Sequence, residues 1–228
     1  MGYFGKFVAN GCHARRSAAR GFTLIELMCV ITIFGIMTAL SIFSVHSIMA
    51  GRQIANNAHE LAGLIRTART AAIAQNTYVA VAFSASRQGN SSVLLVATVA
   101  AKSGQLSDLQ TAGQYQLLNK CAVLKDVQFA SAADYINLPA VDETNNVDIT
   151  DSARQLQVAV GGGRQLDFTN ALVISPSGEI TLTDANGTAA PIRCLGIGLQ
   201  AAPASPNKPR LAAVQVAGLS GDVSVFVQ

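Results

Sequence analysis

Glu26 is the residue whose chemistry most needs an explanation. It is the one formal charge between Arg20 and Arg52, and it stands at the head of an apolar run, Leu27 to Ala50, that holds 24 residues without a charge. A carboxylate in hydrocarbon is among the costliest groups a membrane helix can carry, so it must stay at the interface or meet a cation. The other reactive side chains suggest little catalysis. The histidines are His13, His46 and His59, so residues 60–228 contain none. That removes Ser-His-Asp, Cys-His and histidine-ligated zinc chemistry from this region unless His59 takes part. The segment GGGRQ at 161–165 lacks the Gly-Lys-Ser/Thr ending of a phosphate loop and reads as a turn. Asp142, Glu143, Asp148 and Asp151, and Asp184 with Asn186, are hard oxygen donors without EF-hand spacing. They read as a solvated loop and an Asn186-Gly187 turn. No catalytic residue, metal site or cofactor is expected, and the chain reads as a non-enzyme.

The elements around Glu26 are legible from hydropathy. At about 1.5 Å per residue, the 24 uncharged residues reach roughly 36 Å, enough for a ~30 Å hydrocarbon core with some tilt. Residues 22–50 are therefore predicted to form a membrane helix. Arg15, Arg16 and Arg20 precede it, which places the N-terminus in the cytoplasm and the C-terminal bulk outside by the positive-inside rule. The first proline is Pro139, so nothing of that kind kinks the helix. Thr32, Gly35, Thr38, Ser41 and Ser44 recur every three residues and could form a weakly polar strip between packed helices.

After Arg52 the pattern becomes amphipathic. Ile54, Ala58, Leu61, Ile65, Ala68 and Ala72 step by four and three, which predicts a helix over 51–76 with one apolar stripe. Residues 77–228 read as a β-rich domain that covers the stripe. TYVAVAFSAS and SVLLVATVA flank the turn-like RQGN as a hairpin, and ALVISPSGEITL turns around Pro176-Ser177-Gly178. PIRCLGIGL reads as a strand and RLAAVQVAGLSGDVSVFVQ as a closing hairpin that turns at Ser220-Gly221. Between 101 and 170, YQLL, AVLKDVQF and LQVAV are short apolar pieces, and VDETNNVDITD reads as an exposed loop. The predicted fold class is α+β: a long N-terminal α-helix packed on an antiparallel β-sheet domain.

Gly21-Phe22-Thr23-Leu24-Ile25-Glu26, after a basic arm and before a long apolar helix, resembles the class III signal of type IV pilins and type II secretion pseudopilins. The resemblance implies a cleaved leader of residues 1–21, cut by a prepilin peptidase between Gly21 and Phe22, and methylation of the new Phe22 N-terminus. It implies that Glu26 is an assembly residue, its carboxylate neutralised by the amine of Phe22 on its own or a neighbouring subunit. The helix followed by two strands and a C-terminal hairpin is similar to GspH/FimT minor pseudopilins, whose architecture is the pilin fold. Implied partners are the prepilin peptidase, other major and minor pilins or pseudopilins, and the inner membrane before assembly. The implied location is a single-pass inner-membrane precursor with its C-terminal domain in the periplasm, then a pilus or pseudopilus. The implied function is that of a minor pilin at the tip or initiating complex of a type IV pilus, which primes or modulates assembly. A minor pseudopilin of a type II secretion system is the alternative.

Export makes the remaining thiols informative. Cys12 leaves with the leader and Cys29 lies in the apolar run, which leaves Cys121 and Cys194 in an oxidising compartment. A disulfide between them is expected, closing a long loop and worth about 4 kcal/mol in the chain-entropy model. DNA is not an expected partner. Some FimT-type pilins use a Gly-Arg-x-Arg element near the C-terminus, but here that end reads Gly221-Asp222-Val223-Ser224, with Lys208 and Arg210 as the nearby cations. From Phe22 onward 12 basic residues face 13 acidic ones, so no general field compensates. A DNA-uptake pilin is therefore the third-ranked reading.

Overall fold

The computed structural model describes residues 22–88, 91–111, 113–136, 138, 146–152, 155–159, 165–183, 189–202 and 210–228. Helix α1 runs Leu24–Gln75. The chain divides into two compact units, Met1–Val45 and His46–Gln228. In the second unit the predicted stripe of α1 is the core-facing side: Ile54, Ala58, Leu61, Ile65, Ala68 and Ala72 are all buried. The helix stops where the sequence reading placed its end. Asn76 takes a positive φ of 49°, Thr77 N–H donates to Ala72 C=O at 3.1 Å, and Asn76 N–H donates to Ile73 C=O at 3.3 Å. These paired bonds form a Schellman cap that satisfies the last carbonyls and turns the chain toward the first strand.

The strands follow as β1 (Val79–Gln88), β2 (Ser91–Ala101), β3 (Tyr115–Leu117), β4 (Ala122–Lys125) and β5 (Val127–Phe129). Next come the short helix α2 (Ala132–Tyr135) and strands β6 (Asn146–Asp148), β7 (Leu156–Ala159) and β8 (Gln165–Phe168). The last six are β9 (Asn170–Ile174), β10 (Ile180–Thr183), β11 (Ala189–Pro191), β12 (Cys194–Ala201), β13 (Leu211–Ala217) and β14 (Val223–Val227). Among the described residues they form three sheets. The first has the order β11-β10-β9-β1-β2-β3, with β4 also on β2; the second is β14-β13-β12-β5, with β6 also on β12; the third is the β7-β8 pair. Every pairing is antiparallel except β6 with β12. The α+β class is therefore observed, as a helix followed by mostly antiparallel sheet.

One core holds the α1 stripe with the inward faces of both large sheets, including Val79, Val81 and Phe83 of β1 and Leu195, Ile197 and Leu199 of β12. Phe83 and Phe129 bridge the sheets edge to face, with ring centroids 6.0 Å apart. A second cluster lies on the other face of the first sheet, where Ala80, Ala82, Ala97 and Val99 pack with Leu156, Val158 and Phe168 of the β7-β8 pair. Strands β1 and β2 are thus buried on both sides. This explains why they read as nearly continuous apolar runs and not as strict alternation. Their hairpin is longer than the sequence suggested: Arg87 and Gln88, expected in the turn, pair with Ser92 and Ser91.

Polar side chains of α1 seat it on the sheet edges. Asn57 donates to Lys125 C=O at 3.0 Å, and Arg69 Nε donates to Gly178 C=O at 3.2 Å. Arg69 lies across two glycine turns, Gly178 with φ +86° and Gly221 with φ +63°. A Cβ on Gly221 would overlap the Arg69 guanidinium and approach its Cδ to 2.5 Å. Gly221→Ala is therefore expected to cost about 2 kcal/mol, from left-handed backbone strain plus displacement of Arg69. Urea unfolding checks it, and an unchanged midpoint would exclude both the backbone strain and the displacement of Arg69 as costs.

The loop predicted at 141–151 is partly corrected. Residues 141–145, with Asp142 and Glu143, lie outside the described residues, but Asn146–Asp148 form β6, parallel to Cys194–Gly196. Asp148 is 6% exposed, accepting from the Tyr135 hydroxyl at 2.7 Å and from the Thr150 N–H and hydroxyl, both at 2.7 Å. A carboxylate with three internal donors behaves as a folding element and not as a solvated loop charge. Burial first, and then the bond to Asp148, push the Tyr135 hydroxyl far above its ordinary range, which keeps it a donor.

Candidate functional site

The N-terminal helical turn is built from Phe22, Thr23 and Glu26; Gly21 lies outside the described residues. Thr23 is the residue before the helix, and its hydroxyl oxygen accepts from Glu26 N–H at 3.3 Å. Its hydroxyl also points back to Glu26 Oε2 at 3.5 Å, the outer limit of a hydrogen bond. This is the Thr-x-x-Glu spacing of a capping box, with the carboxylate reaching the threonine hydroxyl. Glu26 also lies in the first turn, where the helix dipole favours negative charge. The sequence reading assigned Glu26 an assembly role through Phe22. The structure adds that Thr23 and Glu26 start the helix together, a role the Thr-x-x-Glu spacing could have disclosed.

Around this turn the helix is apolar on every side. Phe22, Leu24, Ile25, Leu27, Met28, Val30, Ile31, Ile33, Phe34, Ile36 and Met37 are all exposed, Phe22 and Leu24 by three quarters of their area. An apolar surface this continuous needs lipid or other helices to cover it. The small polar residues are satisfied within the helix: the Thr32 hydroxyl donates to Cys29 C=O at 2.8 Å and that of Thr38 to Phe34 C=O at 2.7 Å. Gly35 has nothing within 4 Å of where a Cβ would be. The predicted strip is thus a row of small groups with quenched hydroxyls as far as Thr38. The apolar stretch with described side chains, Leu24 to Ala39, is about 24 Å long, less than a ~30 Å hydrocarbon core. Among the described residues no helix is long and apolar enough to cross a membrane. The expected span of 22–50 runs past Ala39, the last of its residues whose side chain is described.

The expected disulfide between Cys121 and Cys194 is not formed in this structure. Cys121 immediately precedes β4, on the first sheet, and packs into the second cluster, whereas Cys194 opens β12 of the other sheet opposite Ala217. A disulfide demands close, converging Cβ atoms, and oxidising surroundings alone do not bring two sheets' side chains together. Burial pushes the Cys121 thiol up, which favours its protonated form.

The C-terminal element weighed as a DNA contact has another role here. Gly221 makes the turn that receives Arg69, Asp222 and Ser224 are exposed, and Arg210 is half-buried just before β13; Lys208 lies outside the described residues. Asp184, Asn186 and residues 161–164 also lie outside them. Among the described residues no group of three or more His, Cys, Asp or Glu side chains could hold a metal ion. His59 is exposed on α1.

Residues 16–42 match the family described as the prokaryotic N-terminal methylation motif. The match falls on the basic arm, the Gly21-Phe22 junction and the apolar start of α1, and it supports a type IV pilin-like protein with a class III signal. Processing by a prepilin peptidase, methylation and pilin partners are what this motif entails. No curated protein and no solved structure matches the chain.

Proposed function

We propose that this protein is a minor pilin. Its precursor is anchored in the inner membrane with the C-terminal domain in the periplasm, is cut between Gly21 and Phe22, and joins a type IV pilus at the tip or initiating complex, where it primes or modulates assembly. The observation that carries the reading is the methylation motif lying over a helix whose apolar side chains are exposed on all sides and whose first turn holds the one carboxylate, Glu26. Such a helix suits lateral packing with identical or related helices. The helix-on-antiparallel-sheet architecture of the second unit supports a pilin fold. A minor pseudopilin of a type II secretion system uses the same motif and the same packing, and differs in the machine it enters.

Intact-mass analysis of membrane-extracted protein tests the first step. In cells with an active prepilin peptidase the chain is expected to begin at N-methylated Phe22; in cells lacking the peptidase it begins at Met1. A Met1 terminus in both would remove the reading. Recovery with sheared pili, as against a defect in protein secretion on deletion, then separates the two machines.

A further inference from the structure

The second compact unit carries a cleft that the filament role leaves unused. It has a volume of about 470 Å³, within the ~300–1,000 Å³ range of ligand pockets, and lies between the turn at Leu106–Gln110, β3 and the β7-β8 pair. Its lining combines Tyr115, Gln155, Gln157, Asp167 and Thr169 over a floor that includes the fully buried Phe168. Among the described residues no lysine or arginine lines it.

Three observations define what it could hold. Gln157 and Asp167 are direct cross-strand partners on β7 and β8, so an amide and a carboxylate stand side by side on one face at the spacing set by the sheet. Both are exposed, and so are Gln155 and Thr169. Tyr115 donates its hydroxyl to the Gln157 C=O, and burial raises its pKa, so the ring is held at the wall as a half-buried aromatic. Amides offer a donor and an acceptor together and the carboxylate offers acceptors, a set that matches hydroxyl groups, which both give and receive hydrogen bonds. The Asp167 carboxylate in the wall repels phosphate or sulfate. The floor side chains are already buried, so little apolar area remains to hold a hydrophobic ligand.

From this placement we infer that the cleft is a binding site for a neutral saccharide. Asp167 and Gln157 accept and donate to adjacent ring hydroxyls, and Tyr115 supplies apolar contact to the C–H face of the sugar.

The test uses the full chain in a zwitterionic detergent without a sugar headgroup. Saturation-transfer NMR is run against neutral tetrasaccharides of glucose, galactose and N-acetylglucosamine, with a sulfated tetrasaccharide as the anionic probe. At least one neutral probe is expected to bind with a millimolar constant, and Asp167→Ala and Gln157→Ala are each expected to weaken it at least about tenfold. Glu60→Gln, an exposed change on α1, should leave it unaltered. Circular dichroism melts confirm that the cleft variants stay folded, which their exposure makes the expected result. Failure of every neutral probe to bind would overturn the inference. So would equal binding by both cleft variants, or a preference for the sulfated probe.

Discussion

Replacing Glu26 by alanine is expected to remove the protein from filaments while leaving its maturation intact. The carboxylate is the one charge on an otherwise apolar N-terminal stretch, and all of its described neighbours through Met37 are apolar, small or hydroxyl-bearing. When helices of this kind pack together, the carboxylate loses water and needs a positive partner. The proposed partner is the methylated amine of Phe22, created by cleavage. Removing one member of a desolvated ion pair leaves the other charge stranded, and this is the costly outcome. Incorporation should fall by roughly two orders of magnitude. Glu26→Gln separates the two roles of this residue. The amide can still meet the Thr23 hydroxyl and start the helix, but it cannot neutralise an amine. If capping were the whole role, Glu26→Gln would assemble like the native chain; if charge pairing dominates, it fails like alanine. Sheared-filament content, normalised to the processed membrane pool, checks this. Wild-type incorporation of both variants would show that the carboxylate is dispensable.

A large effect on folding is expected from a single methyl group at Gly198. On the outer face of β12, Gly196 and Gly198 make the seat for Tyr135. A Cβ at Gly198 would overlap Tyr135 Cδ1 and reach its Cε1 at 2.7 Å and Cγ at 2.9 Å. The ring is fully buried and cannot give way locally. It must leave, and then Asp148 loses the hydroxyl that donates to it at 2.7 Å. Overpacking costs about 1–3 kcal/mol, and an abandoned buried acceptor about as much again, so Gly198→Ala should destabilise by about 3–5 kcal/mol. The helical Gly63 has nothing within 4 Å of its Cβ position, and Gly63→Ala should instead gain about 0.5–1 kcal/mol. Chemical denaturation measures both. A double-mutant cycle adds the mechanism: in a Tyr135→Leu background, Gly198→Ala should cost clearly less than in the native chain. Equal costs in the two backgrounds would exclude the ring as the cause.

Much of the molecule was readable before any coordinates. The stripe Ile54, Ala58, Leu61, Ile65, Ala68 and Ala72 was legible because a helix repeats every 3.6 residues and one face must be buried. The strands around Ser175–Glu179 and the closing hairpin at Gly221 were legible because proline and glycine mark turns and β-branched residues fill strands. The Gly21-Phe22 junction and Glu26 stand out because a charge next to a long apolar run has few physical explanations.

What remained unreadable depends on which distant segments meet. Three residues, Asn146–Asp148, carry no periodicity, and only Cys194–Gly196 beside them makes them a strand. Tyr135 and Asp148 declare no partnership in sequence; the two glycines of β12 bring it about by leaving room. Cys121 and Cys194 share an expected compartment, but Cys121 packs into the second cluster and Cys194 opens β12, a placement that no local pattern discloses. The pairing of Gln157 with Asp167 in the cleft likewise exists only through the register of β7 on β8. Local pattern determined the elements and the N-terminal chemistry, because these rest on interactions within a few residues. Tertiary contact decided everything that required two surfaces to meet, because burial, pairing and steric room belong to neither partner alone.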